Sequence, residues 1–88
     1  MAQVLHTDRG EHLVGLANAH SLDCGDLVVM TDVAGTGRNL MFEVFDNSQH
    51  RLDGVLGQHL GLRNSEGSEA KIWTGHNTPW WRVVGGRA

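Results

Sequence analysis

The sequence predicts a single all-β domain over residues 1–88, and three observations predict it. The apolar residues come in short punctuated runs, 12 glycines are spread along 88 residues beside a single proline, and one pattern of strands occurs twice. Glycines scattered in this way mark tight turns between short elements rather than a flexible linker. Short apolar runs bounded by turn residues read as strands.

Gln3 to His6 is the first predicted strand, closed by Thr7-Asp8-Arg9-Gly10. Glu11 to Asn18 is the second. Leu27 to Thr31 is the third, its adjacent valines favouring an extended chain over a helix. Ala34-Gly35-Thr36-Gly37 is a loop. Leu40 to Asp46 is the fourth strand, and Asp46-Asn47-Ser48 a turn. Arg51-Leu52 then opens a second series: a turn through Asp53 and Gly54, a strand over Gln58 to Asn64, another over Lys71 to Thr74, and a last over Trp80 to Val84. Leu52, Val55, Leu56, His59 and Leu60 also fit helical spacing. That leaves a short helix over 53–62 as the local alternative, opposed by Gly54, Gly57 and Gly61, each costing about 1 kcal/mol relative to alanine in a helix.

The two series align. Gly10-Glu11-His12-Leu13 lies over Gly57-Gln58-His59-Leu60, and once Val14 is set aside, Gly15-Leu16 lies over Gly61-Leu62. Val28-Val29-Met30-Thr31 lies over Lys71-Ile72-Trp73-Thr74, and Phe42-Glu43-Val44 over Trp81-Arg82-Val83. The expectation is an internal duplication of a four-stranded unit, with repeats at 3–46 and 50–85. Leu13 and Leu60 are then equivalent core residues, Phe42 and Trp81 equivalent core aromatics, and Gly10 and Gly57 turn positions with unusual backbone angles. One four-stranded unit cannot hide its own edges, and a second unit stacked on it buries the shared apolar face.

The Gly57-Gln58-His59-Leu60 strand and the Trp81-Arg82-Val83 strand resemble β-trefoil repeats of the fascin-like or ricin-B-like kind. The resemblance implies four-stranded units and a sugar-binding role. A trefoil has three such units and this chain has two, so the resemblance implies trefoils completed by oligomerisation. Pro79 stands where the ricin-type signature has glutamine before Trp81. A closed eight-stranded barrel is the alternative architecture.

Composition narrows the function. The net charge is −3, with seven Lys and Arg against ten Asp and Glu. The basic residues are scattered singly, and phosphate neutralisation needs them clustered, so no nucleic-acid partner is expected. No basic and apolar leader opens the sequence and no apolar stretch reaches membrane length, so a cytoplasmic protein with no membrane partner is expected. Cys24 is the only cysteine, which excludes an internal disulfide and raises the expectation of a homo-oligomer in so short a chain. Six histidines invite a metal, but no His-x-x-x-His pair or Cys/His cluster is present, and neither metal nor cofactor is expected. Asp23 and Asp26 flank Cys24, and negative charge opposes a reactive thiolate. Ser21 and Ser48 stand in no nucleophile motif, and Gly35-Thr36-Gly37 lacks the lysine of a phosphate loop. No enzyme is expected.

The residues that remain point to binding. Trp73, Trp80 and Trp81 lie close together in the second unit. If Trp81 faces the core, Trp80 faces the other way. Flat aromatic surfaces stack on sugar rings, and tryptophan is enriched at binding hot spots. His76 and Asn77 precede Trp80 in a loop and carry donors and acceptors suited to hydroxyls. Trp73, His76, Asn77, Trp80, Arg63 and Asn64 form the candidate ligand-binding set. The first expected function is a non-enzymatic, lectin-like carbohydrate-binding module working as an oligomer. The alternative is a protein-interaction module such as an inhibitor, immunity or anti-defence protein, with Trp73 and Trp80 as anchors.

Overall fold

The computed structural model describes residues 2–84. Seven strands make up the fold: β1 (Ala2–Thr7), β2 (Gly10–Asn18), β3 (Leu27–Met30), β4 (Leu40–Leu52), β5 (Val55–Arg63), β6 (Glu69–Gly75) and β7 (Pro79–Val83). Two 3₁₀ turns, Ala19–Ser21 and Val33–Gly35, complete it, with no α-helix among the described residues. None of the described helical segments is long and apolar enough to cross a membrane. The helix considered for 53–62 does not form: this stretch is a hairpin turn and most of β5. Asp53 (φ 52°) and Gly54 (φ 80°) both take left-handed angles, which is the backbone of a type I′ turn and imposes a hairpin.

The eight predicted strands become seven because the fourth and fifth run together. β4 continues from Leu40 to Leu52, with a register shift between Val44 and Asp46 as it passes from β3 to its full pairing with β5. The strands form one antiparallel sheet in the order β1-β2-β7-β3-β4-β5-β6. The sheet is open, with β1 and β6 at its edges, so the closed eight-stranded barrel is not formed. β6 meets β7 through a side chain, the Trp80 indole N–H donating to Thr74 Oγ1 at 3.2 Å.

The sheet is buried on both faces at its centre. Val28 and Val29 are neighbours in β3, yet both are buried (0% and 2% exposed). Successive strand residues point to opposite faces, so each enters a different core. On face one, Val28 packs with Leu22, Val44, Leu60 and Leu62, and Trp80 and Phe42 lean against them. On face two, Val29 packs with Val14 and Met41, flanked by Leu5 and Trp81. The two ends of the sheet therefore bend in opposite senses. The β1–β2 hairpin folds over face two, and its turn is tied to the start of β4: Asp8 N–H donates to Asn39 O (3.1 Å), Asn39 Nδ2 to His6 O (2.9 Å) and Met41 N–H to Asp8 Oδ1 (3.0 Å). β5, β6 and the Ala19–Ser21 turn fold over face one, where Ala19 N–H donates to Thr78 O at 2.9 Å.

This bend overturns the expected equivalence of Leu13 and Leu60. Leu60 is fully buried, whereas Leu13 is 40% exposed. Both occupy face one, but the core beside β2 lies on face two, so Val14, the residue set aside in the alignment, takes the core position there. Phe42 and Trp81 likewise pack on opposite faces. Gly10 does take an unusual angle (φ 96°), but Gly57 does not. The turns are Asp8-Arg9 and Asp53-Gly54, which puts Val55 rather than Gly57 at the place of Gly10. The pairings of the two units also differ. β3 pairs with β4 in the first unit, whereas the corresponding β6 pairs with β5.

Candidate functional site

The candidate residues divide between the faces. Trp73 pairs with His59 and Thr74 with Gln58 across β5 and β6, so Trp73 lies on face two and Thr74, with Trp80 bonded to it, on face one. Arg63 is engaged with charge. Its Nη2 lies 2.8 Å from Glu69 Oε2, its Nη1 lies 3.7 Å from Glu43 Oε1, and the hydrogen bond to Glu69 raises its pKa above the ordinary value. Its guanidinium also sits 5.0 Å from the centre of the Phe45 ring, within cation–π range. Asn64 caps the β5–β6 turn, its Oδ1 accepting from Glu66 and Ser68 N–H at 2.9 Å each. Asn77 is exposed. The predicted set is therefore not one site.

His76 turns inward. Its Nδ1–H donates to Gln58 Oε1 (3.0 Å), Gln58 Nε2 to Asn47 Oδ1 (2.8 Å), and Asn47 Nδ2 to the carbonyls of Ala19 (3.0 Å) and Leu22 (2.7 Å). A backbone carbonyl can only accept, which orients Asn47, and Asn47 in turn orients Gln58 and His76. His20 stacks on His76 with ring centres 4.2 Å apart and donates Nδ1–H to its carbonyl at 2.9 Å. This chain fixes the Ala19–Ser21 turn to the sheet and leaves His76 with a structural role. No buried side-chain polar atom among the described residues lacks a partner.

Trp80 borders an open cleft. β3 and β7 pair only at Val28–Arg82 and Val29–Trp81, and beyond that point they diverge. The fork opens a cleft of about 490 Å³, lined by Met30, Asp32, Thr78, Pro79, Trp80 and Trp81. Pro79 begins β7 there, and proline at a strand start leaves no N–H to close the gap toward β3. Asp32 takes a left-handed φ of 51° and its Oδ1 accepts from Gly37 N–H at 2.7 Å, leaving its second oxygen without a partner among the described residues. The cleft thus combines two indoles with a carboxylate and hydroxyls. Sequence reasoning found Trp80 but missed Met30, Asp32 and Pro79. The adjacent Pro79-Trp80-Trp81 was the available signal.

On face two, Trp73 covers Gly57 so closely that a Cβ there would overlap the indole, and its Nε1–H donates to His50 O at 3.2 Å. Phe45 covers Gly61 in the same way. His50 and His59 stack between them with centres 4.0 Å apart. Leu52 and Val55 extend this strip to the hairpin tip, 46% and 56% exposed. Two imidazoles do not complete a metal's ligand set, and no group of three or more metal-ligating side chains exists among the described residues.

No protein-family model, curated protein or solved structure matches the chain.

Proposed function

We propose that the chain is a non-enzymatic, lectin-like binding module that takes the ring of a hydroxyl-rich ligand in the cleft between β3 and β7. The observation that carries this reading is the lining of that cleft, where Trp80 and Trp81 stand with Asp32 and Thr78. An indole offers an apolar face to the C–H side of a sugar ring, and carboxylate and hydroxyl oxygens suit its O–H groups. A single open cleft of this kind binds weakly. Assembly into a homo-oligomer multiplies the sites and gains through multivalency.

Glycan-array binding followed by calorimetry tests this. Trp80→Phe and Asp32→Asn each lower affinity for the selected glycan about tenfold or more, since hot-spot aromatics are worth roughly 2 kcal/mol. Asparagine tolerates the left-handed angle at position 32 and keeps an acceptor for Gly37. A folded chain that binds no glycan, or binds equally after both changes, overturns the reading.

A protein-interaction module of the inhibitor or immunity type is the second reading. The strip on face two favours it, with Leu52 and Val55 exposed and Trp73 and Phe45 half-buried beside them, because contiguous apolar surface open to solvent marks interfaces.

A further inference from the structure

We infer that β6 is a docking edge for an extended peptide segment of a partner protein, which adds to the sheet as a further strand. Asn64 N–H donates to Ser68 O at 2.9 Å and His76 N–H to Leu56 O at 3.3 Å, one such bond at each end of the β5–β6 ladder. Alternation between them assigns Ala70, Ile72 and Thr74 to bonding with β5. It turns the N–H and C=O groups of Glu69, Lys71 and Trp73 outward, where no other strand among the described residues pairs with them. A periodic row of free backbone donors and acceptors is matched by another strand's backbone, which is how β-augmentation obtains affinity.

An apolar groove runs beside this edge on face one, about 220 Å³, lined by Met30, Phe42, Leu62, Ala70 and Ile72. A strand laid along β6 directs every second side chain toward face one, so the occupant is a segment alternating apolar residues, seated in the groove, with polar ones. Two usual edge protections, proline and a bulge, are absent from β6, which keeps an unbroken register with β5. Its two charged side chains are drawn to face two, Lys71 lying 3.4 Å from Asp46 and Glu69 2.8 Å from Arg63, instead of guarding the edge. The other open edges are less suited. Asn39 is bonded to His6 O and Asp8 N–H at the end of β1, and the free side of β4 beyond Asp46 carries Asn47, Gln49 and Arg51 on face one.

The inference is independent of the sugar cleft and is tested with a capped peptide alternating valine and threonine, with lysine at each end. With saturating peptide, the amides of Lys71 and Trp73 exchange hydrogen about tenfold more slowly or better, while those of Ala70 and Ile72, already bonded, change little. Lys71→Pro removes an outward N–H that β5 does not use and weakens peptide binding about tenfold or more. Ile72→Lys puts a charge at the groove and weakens it as well. Unchanged exchange at Lys71 and Trp73 overturns the inference, as does equal binding by both variants. A dimer of the free chain with those two amides already protected also overturns it, because a second copy then holds the edge. If Lys71→Pro does not fold, exchange in the unaltered chain together with Ile72→Lys decides.

Discussion

Replacing Gly57 with alanine tests the seating of Trp73 on face two. A Cβ at Gly57 would overlap the Trp73 indole and stand 2.5 Å from the Thr74 carbonyl oxygen, about 1 Å short of ordinary contact. Moving the indole out of the way breaks its 3.2 Å hydrogen bond to His50 O, a loss of about 1 kcal/mol. The Thr74 carbonyl belongs to the β6 backbone and cannot swing aside, so strand β6 must also shift, which overpacking data put at about 1–3 kcal/mol. Alanine restricts the unfolded chain and returns about 0.4–1 kcal/mol. The net expectation is a destabilisation of about 1–3.5 kcal/mol, read from urea unfolding followed by tryptophan fluorescence. The double variant Gly57→Ala with Trp73→Ala separates the causes: the indole part of the penalty vanishes and the carbonyl part stays. A Gly57→Ala chain as stable as the parent refutes the seating of the indole.

Asn47→Ala removes the side chain that ties Ala19 and Leu22 carbonyls to Gln58; stability falls by about 2–4 kcal/mol in the same unfolding assay, since buried partners are left unpaired. Ala34 holds a left-handed φ of 53° on the exposed loop after β3, so Ala34→Gly runs against the usual sign and stabilises the chain by up to about 1 kcal/mol. Met41→Ala and Leu60→Ala each cost about 2–5 kcal/mol, because both are fully buried although they stand in different cores. Cys24 is exposed and reacts with a thiol reagent in the native state, with no shift of the melting temperature on alkylation.

The all-β class and nearly every strand were legible because turn chemistry is local. Asp53-Gly54 and Asp8-Arg9-Gly10 stop one run and start the next whatever surrounds them. The pairing of β7 with β2 and β3 was not legible, since it joins residues far apart in the chain and no local signal specifies it. That pairing creates the fork, so Trp80 could be flagged but Met30 and Asp32 could not be placed beside it. Alternation implied that Trp80 and Trp81 lie on opposite faces, which they do. The further step, that one face is core and the other free, failed because a doubly bent sheet has a core on each side. The same bend put Leu13 outside and Val14 inside. His76 looked like a ligand group from its loop position, yet a buried glutamine, Gln58, claims it.

The double bend also accounts for where binding surface is available. A short chain has little apolar surface to bury, and here it is divided between two small cores that share β3. Each core is covered by one end of the sheet, so the outer face of each covering arm has no layer above it. On the β4–β5–β6 arm that outer face is the strip of Trp73, His50, His59 and Phe45, and its aromatic rings lie over Gly57 and Gly61 instead of beneath another layer. At the centre, β7 pairs with β2 over its whole length but with β3 over only two residue pairs, Pro79 offering no N–H on that side, and the cleft opens there. At the far end, β6 curls toward β7, where the Trp80 indole bonds Thr74 but no strand pairing forms, which leaves the outer edge of β6 free among the described residues. Cleft, strip and edge thus share one cause: an open sheet that covers both of its own cores with its two ends and, among the described residues, has no strand left over to close itself.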